Sequence, residues 1–340
     1  MKKLILIVPL IIVVSVIAAI VLLFLKCWIC GILILFFAFS LNRWSETFAL
    51  NFQRERIRDY DFRILTYNVN RAHKISVNKG TTEELITFIL EQNADIVLLQ
   101  EYNADLYPLI QERLGWEYQH ACGNDSTSRF KSVFSRFPIE SYEQFMVNAN
   151  NPEYEVFQNA FYCKKKYEDK EILPICKVTI RVGEKTLQIF NCHLMSNNFT
   201  VVIRNLRKKR RSAIYGLFPI MRRIDYGYEA RDVQAKVISE SINPIVPTLV
   251  CGDMNDISGS SPLRVLKGCG LSDAWWKKGC GFGFTFHGLG LRLRLDHVLF
   301  SPQSLKLKKV FVLQNAVSDH FPLVCDFDFI SCAVIKVKQT

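Results

Sequence analysis

Six apolar, strand-like runs in this chain each carry a residue able to hold a metal, a phosphate or a proton. RILTYNVN brings Asn68, ADIVLLQE brings Glu101 and LQIFNCHL brings His193. PTLVCGDMN brings Asp253 and Asn255, LRLDHVLFS brings Asp296, and SDHFPLV brings Asp319 and His320. Continuous apolar runs of this kind are buried on both faces. A charge beside such a run is costly unless it is paired or bound to a metal. The recurrence therefore constrains the fold: several strands must deliver their ends, or the adjoining loops, to one polar site.

The rest of the pattern supplies the layers. Strands are expected over Phe62–Val69, Ala94–Gln100, Phe130–Ser135, Pro247–Cys251, Leu295–Ser301, Lys309–Leu313 and Pro322–Phe329. Ile175–Val182 and Thr186–Cys192 read as a hairpin around Gly183. Helices are expected over Thr81–Gln92, Ala104–Leu114 and Tyr228–Ile242, and another after Pro262. Strands joined partly by helices and partly by hairpins imply an α/β (α+β) four-layered sandwich, two packed mixed β-sheets flanked by helices. No Gly-rich phosphate loop follows the first strand, which excludes a Rossmann or P-loop domain.

Residues 1–41 read as a membrane anchor of one or two transmembrane helices. Leu4–Leu25 carries no charge, and about 20 apolar residues span a bilayer. The run is too long for a signal-peptide core and ends in no small-residue cleavage site. A second apolar run, Cys27–Leu41, is short for a full span. One arrangement is a hairpin turning near Lys26–Gly31; the other is a single span with an interfacial segment. Lys2 and Lys3 precede the anchor and Arg43, Arg54, Arg56 and Arg58 follow it. Basic flanks favour the cytoplasmic side, so two of them favour the hairpin and a cytoplasmic domain. Residues 42–61 follow as a juxtamembrane linker, 62–330 as the catalytic domain and 331–340 as a C-terminal tail.

The formal net charge of +11 is concentrated in places. Lys208, Lys209, Arg210 and Arg211 continue a block begun by Arg204 and Arg207. Such a block suits anionic lipid headgroups or a nucleic-acid backbone, or is a solvated surface without a partner. Among eleven cysteines, Cys176, Cys192, Cys251 and Cys325 sit inside apolar runs as small hydrophobes. The spacing of cysteines and of His73, His120 and His287 gives no zinc site, and no G-x-S-x-G motif occurs.

Hydrolysis of a phosphate ester needs a divalent cation on oxygen ligands, a group that activates water, and donors for the equatorial oxygens. Glu101, an acid directly after a buried strand, is the foremost metal candidate. Gly252 permits a tight turn that presents Asp253 to deprotonate water and Asn255 to donate to phosphate. His193 and His320 suit proton transfer, and Asp296 can orient one imidazole. His297, beside Asp296, points to the opposite face if this is a strand.

As an ordered set, TYNVN, LLQE, CHL, GDMN, LDHVLFS and SDH resemble the endonuclease/exonuclease/phosphatase superfamily, which includes deoxyribonuclease I and neutral sphingomyelinases. The resemblance runs from about Phe62 to Phe329 and implies the four-layered sandwich with Mg2+ or Mn2+. It implies Glu101, Asn68 and Asp319 as the metal set, and Asn68, His193 and Asn255 as phosphate contacts. It makes Asp253 the water-activating acid, His193 the leaving-group histidine, and Asp296 the partner of His320. SVFSRFPI keeps Ser135, Arg136 and Pro138 but has Ser132 and Phe134 where small residues are usual. The basic stretch with EARDVQA is similar to membrane-tethered bacterial relatives, which implies a bacterial inner-membrane enzyme. Substrates of the superfamily span nucleic acids, phospholipid headgroups and soluble phosphate esters. The alternative is a catalytically inactive, membrane-tethered binding module of the same fold; its weakness is the intact set of acids and histidines.

Overall fold

The structure is a computed structural model that describes residues 7–52, 59–70, 79–101, 107–115, 119–121, 131–148, 170–197, 213–288, 291–314 and 318–330. Two apolar helices come first, α1 (Val8–Phe24) and α2 (Trp28–Ser45), followed by a short strand, β1 (Ala49–Leu50). Strand β2 (Phe62–Asn68), helix α3 (Lys79–Glu91), strand β3 (Ile96–Gln100) and helix α4 (Tyr107–Leu114) follow. Next come β4 (Gln119–Ala121), β5 (Lys131–Ser135), β6 (Ile139–Asn148), β7 (Lys170–Val182) and β8 (Lys185–His193). The long helix α5 (Ala213–Ser241) leads to β9 (Thr248–Asp253), α6 (Ser261–Gly268), β10 (Ser272–Asp273) and α7 (Ala274–Lys278). The chain closes with β11 (Cys280–Gly281), β12 (Asp296–Phe300), β13 (Leu305–Val312) and β14 (Leu323–Phe329). Helix α5 begins well before the expected Tyr228.

Two six-stranded sheets form, in the orders β13-β14-β2-β3-β5-β4 and β10-β12-β9-β8-β7-β6. Each is mixed, with one parallel pair in its middle: β2 with β3, and β8 with β9. A parallel pair brings two C-terminal ends side by side. Asn68 is thus level with Gln100, the residue before Glu101, and His193 is level with Asp253. Asp296 does not end a strand; it opens β12, which runs antiparallel to β9 and sets Asp296 opposite Asp253. His320 precedes β14, antiparallel to β2. One end of both sheets therefore collects all the polar residues singled out in the sequence.

The layers are four, as the alternation of strands and helices implies. Ile64, Ile96 and Leu98 of one sheet pack on Val178, Ile189 and Leu249 of the other. Leu85, Ile86 and Ile89 of α3 cover the outer face of the first sheet, and Ala235 and Ile238 of α5 with Leu263 and Leu266 of α6 cover the second. The buried thiols of Cys176, Cys192, Cys251 and Cys325 belong to this packing. Beneath the site the inter-sheet core turns polar. Gln100 Nε2 donates to Thr66 Oγ1 at 3.0 Å and crosses to Asn191 Oδ1 at 2.8 Å. Asn191 Nδ2 returns to the Leu99 and Ser132 carbonyls at 3.2 and 3.1 Å.

The first two helices form an antiparallel pair turning at Lys26, whose φ of 63° is left-handed. They close tightly where a Cβ on Gly31 would sit 2.8 Å from the Leu23 side chain. Neither helix trails away from the domain. Val8 and Ile12 pack against Ile224, Tyr228 and Ile257, with Leu41, Leu293 and Leu295 alongside. The second helix runs past the expected boundary at 41 to Ser45, and the expected linker 42–61 is docked in its first half. Glu46 caps the helix in a left-handed conformation, and its carboxylate pairs with Lys267 at 2.7 Å. Asn42 binds the backbone of Phe48 in both directions, and Ala49–Leu50 pair with Gly281 and Cys280. These long-range partners, which a local composition reading does not see, fix the connection. Residues 53–58, the tail 331–340 and the basic block with Lys208–Arg211 lie outside the described residues.

Replacing Asn191 by leucine strips partners from the Gln100 amide and from two buried carbonyls. At about 1–3 kcal/mol for each buried group left unpaired, a loss of at least ~2 kcal/mol is expected in urea unfolding. Converting Gln100 to leucine as well should recover part of it, because fewer orphaned groups remain. A single-variant loss under about 0.5 kcal/mol, the scale of a surface change, would refute the bridge.

Candidate active site

The approach of β8 to β9 depends on Gly252. Its φ is 126°, and an added Cβ would lie 2.0 Å from the Cys192 carbonyl oxygen. Only glycine adopts this conformation and leaves this space, so His193 and Asp253 can stand side by side. Beyond the strands, Glu101 and Asn255 both take left-handed backbone, each with φ of 49°. Asn tolerates this region; for Glu101 it is an uncommon conformation of the kind that clusters at functional sites.

Asp253 is the hub. Its Oδ2 accepts from Asn68 Nδ2 at 2.9 Å and lies 3.7 Å from Nε2 of both His193 and His320. Its Oδ1 accepts the Asn255 amide at 2.8 Å. Asn68 Nδ2 also reaches Glu101 Oε1 at 3.4 Å, and His193 Nε2 stands 3.6 Å from that same oxygen. His320 Nδ1 meets Asp296 Oδ2 at 2.8 Å, the expected dyad. His297 points the other way, as the alternation requires: its ring meets Asp273 Oδ2 at 3.1 Å and the Asp256 carbonyl at 3.0 Å.

Some expected contacts differ in kind. Asn68 appears as a donor between two carboxylates, while its Oδ1 accepts the Asn70 amide at 2.9 Å. In this arrangement it orients Asp253 and Glu101. Asn255 Nδ2 donates to the Leu194 carbonyl at 2.8 Å, which ties the turn to the end of β8. Asp319 is partly exposed; its carboxylate lies 3.5 Å from Ser318 Oγ and its carbonyl accepts the His287 amide.

Burial and charge set the protonation states. Burial, the largest influence on His320, favours the neutral ring, but Asp296 and Asp253 together outweigh it and raise the pKa from 6.5 to about 10. Burial pushes the Asp253 carboxyl up, while the two histidines pull it down. Buried Asp273 is held well below the usual carboxylate range, because Arg294 and His297 outweigh burial.

A hard divalent cation suits this donor set. Asp253, Asp296 and His320 offer ligand atoms within 4.8 Å of one another. The buried Asp296 Oδ1 has no hydrogen-bond partner, and carboxylate oxygens are the ligands that Mg2+ and Mn2+ select. With Nδ1 engaged by Asp296, His320 could ligate through Nε2 only as the neutral ring, so the two carboxylates are the donors of this group at neutral pH.

Several supporting residues escape a sequence reading. Ser318 Oγ donates to the Asn68 carbonyl at 2.8 Å and accepts the His320 amide at 3.1 Å, joining the two loops. Thr285 Oγ1 accepts the amides of Leu295 and Asp296, each at 3.0 Å. Arg231 of α5, fully buried, donates to Asp256 Oδ2 at 2.9 Å and to the Met195 carbonyl at 2.8 Å. Gln234 accepts the Met195 amide at 2.9 Å. Arg231 and Gln234 thereby hold the loops that follow His193 and Asp253. Their one sequence signal is polar side chains three apart on a helix face shared with the apolar Ala230, Ala235 and Ile238.

The sequence model described as the Endonuclease/Exonuclease/phosphatase family matches residues 65–320. The chain belongs to that family, whose members are metal-dependent phosphoesterases or nucleases. Solved structures share the fold. An endonuclease/exonuclease/phosphatase family protein from Bacteroides thetaiotaomicron is 18% identical with a TM-score of 0.56, over 80% of this chain and 98% of that one. Humanized D. rerio TDP2 is 15% identical at 0.55, over 78% and 98%. The human Nocturnin catalytic domain with bound sulfate is 18% identical at 0.53, over 79% and 93%. Comparison with curated proteins found no match.

A raised His320 pKa means an imidazolium at neutral pH. Its contribution to stability is complete below about pH 6.5 and is lost as pH rises through about 10. In the metal-free protein, Asp296→Asn should move the His320 titration downward, read by NMR of the ring protons. An unmoved titration would remove Asp296 as the charge that holds this proton.

Proposed function

We propose that this chain is a membrane-anchored hydrolase of phosphoric esters that works with Mg2+ or Mn2+. The observation that carries the reading is the meeting of Glu101, Asp253 and Asp296 with His193 and His320 at one end of two sheets. Glu101 and the carboxylates beside it would hold the cation. A cation held there would offset phosphate charge and polarise the ester.

The protein's own groups divide the rest of the work. Asp253, with its pKa raised by burial, accepts a proton from the attacking water as the water oxygen bonds to phosphorus and the ester P–O bond breaks. Asn68 keeps that carboxylate aimed. His320, kept cationic by Asp296, donates to a phosphate oxygen. His193, partly exposed at the mouth, protonates the departing oxygen. Asn255 holds the turn that presents Asp253. This chemistry is common to nucleic acids, phospholipid headgroups and small phosphate esters, which differ in the loops they require.

The anchor reading rests on the paired helices. Trp28–Ser45 is long and apolar enough to cross a membrane, and the shorter Val8–Phe24 is apolar throughout. At 1.5 Å per residue the two measure about 27 and about 26 Å respectively, close to a hydrocarbon core of roughly 30 Å. Both domain-side ends, Val8 and Ser45, meet the catalytic domain, so a hairpin keeps both chain ends on one side. Basic residues at both ends favour the cytoplasmic side of a bacterial inner membrane for the domain. The block Lys208–Arg211 adds contact with anionic surface or substrate.

Full-length protein in detergent should hydrolyse bis-p-nitrophenyl phosphate or p-nitrophenyl phosphate with added Mg2+ or Mn2+. Glu101→Gln and Asp253→Asn should each lower turnover by at least about a hundredfold, the scale of losing a general base or charge stabiliser. Near-normal turnover of Glu101→Gln at limiting metal would remove Glu101 from the metal site. Metal-independent hydrolysis would end the reading as a whole.

A further inference from the structure

The ribbon formed by β1 and β11, where the helical hairpin meets the domain, leaves apolar side chains uncovered. Ala49 is buried, while Leu50 is 63% exposed and Phe52, two residues on, is 77% exposed. Phe48, just before the strand, is half-buried. The Phe48 ring meets Phe282 edge-on at 4.8 Å, and Phe282 stacks on Phe284 at 5.1 Å. In the last turn of α2, Trp44 is 53% exposed, with the Arg264 guanidinium 3.9 Å from its ring centroid. Arg43 lies over Trp276 at 5.4 Å. The result is an aromatic shelf edged by cations.

From this we infer that the β1–β11 shelf rests in the headgroup layer of an anionic bilayer and sets the orientation of the catalytic domain on the membrane. A single exposed phenylalanine is ordinary on a protein surface; a contiguous patch with a polar rim marks an interaction site. Three observations select the bilayer as its occupant. The shelf is continuous with the apolar helix, whose own terminal residues Arg43 and Trp44 form part of it. Its composition, aromatic rings with arginines at the end of a spanning segment, is that of a membrane–water interface, and the cationic rim matches anionic lipid. Finally, the connection is rigid. Asn51 Nδ2 donates to the Trp276 and Gly279 carbonyls at 3.0 and 3.1 Å, and Arg294 reaches the Glu46 carbonyl at 3.3 Å. Inserting the hairpin therefore carries the shelf to headgroup depth with it.

This inference rests on the anchor reading, and the test separates the two. Full-length protein in phosphatidylglycerol nanodiscs would carry the photo-reactive residue p-benzoylphenylalanine at one position per variant. Phe52 probes the shelf and Phe36, 68% exposed, probes the hairpin. Ile245, 87% exposed, is the control, because it precedes β9 at the end of the strand away from the site. Cross-links from positions 36 and 52 should fall on phospholipid, with position 52 several-fold above position 245. Cross-linking from 36 with 52 at the level of 245 would overturn the shelf and leave the anchor standing. A failure at 36 would end both readings. Cross-links from 52 to protein in place of lipid would show that the shelf receives a protein partner. The three sites are exposed, so folding is checked by comparing melting curves with the unsubstituted chain.

Discussion

The hydrogen bonds that Gln100 and Asn191 pass between the sheets are the constraint on which the rest of the site depends. Glu101 and Asn68 belong to one sheet; His193, Asp253 and Asp296 belong to the other. Apolar contact between sheets is non-directional and would tolerate small slides of one layer over the other. A bridge of directional bonds, one residue below Glu101 and two below His193, does not. It sets the spacing at which Asn68 can reach Asp253 across the interface. Buried polar groups of this kind are a gain chiefly when satisfied; here Gln100 Nε2 and both amide atoms of Asn191 have partners, while Gln100 Oε1 has none.

A second buried network braces the loops from outside. Arg231 joins α5 to Asp256 and to the backbone after His193. His297 joins Asp256 to Asp273, and Arg294 joins Asp273 to the hairpin's end at Glu46. Removing one member would strand a buried charge, which is costly. The same contacts make the N-terminal helices part of the catalytic body, because Leu295, the neighbour of Asp296, packs with Val8 and Ile12. A fragment lacking the hairpin would expose that packing surface next to the site.

Much of this was legible in the sequence, and what was not has a common cause. The buried runs identified the strands, and the polar residues beside them, Glu101, His193, Asp253, Asp296 and His320, come together in the structure. The alternation around Asp296 turned His297 away correctly. Sequence pattern says nothing, however, about which strands are neighbours or how they run, so it could not show that Asp296 stands opposite Asp253. It also could not assign Asn68 as a donor between two carboxylates, since that depends on where two side chains from different sheets meet. Residues 42–52 read as a linker because their partners near 276–281 and 294 are remote along the chain. Arg231 and Gln234 read as an ordinary polar helix face for the same reason.

The order of strands has a consequence for how the molecule is made. The last strand, β14, lies between β13 and β2, so the first sheet stays open until the C-terminal part of the chain arrives. His320 enters with it, and the partners of Val8 and Ile12 on α5 and around Leu295 also emerge late. The hairpin thus leaves the ribosome with its docking surface still unmade, and long-range pairing of this kind is slow to form. During that interval Val8 and Ile12 lack the side chains that later cover them. Assembly of the candidate site is then a late event of folding, because His320 arrives with the C-terminal part of the chain.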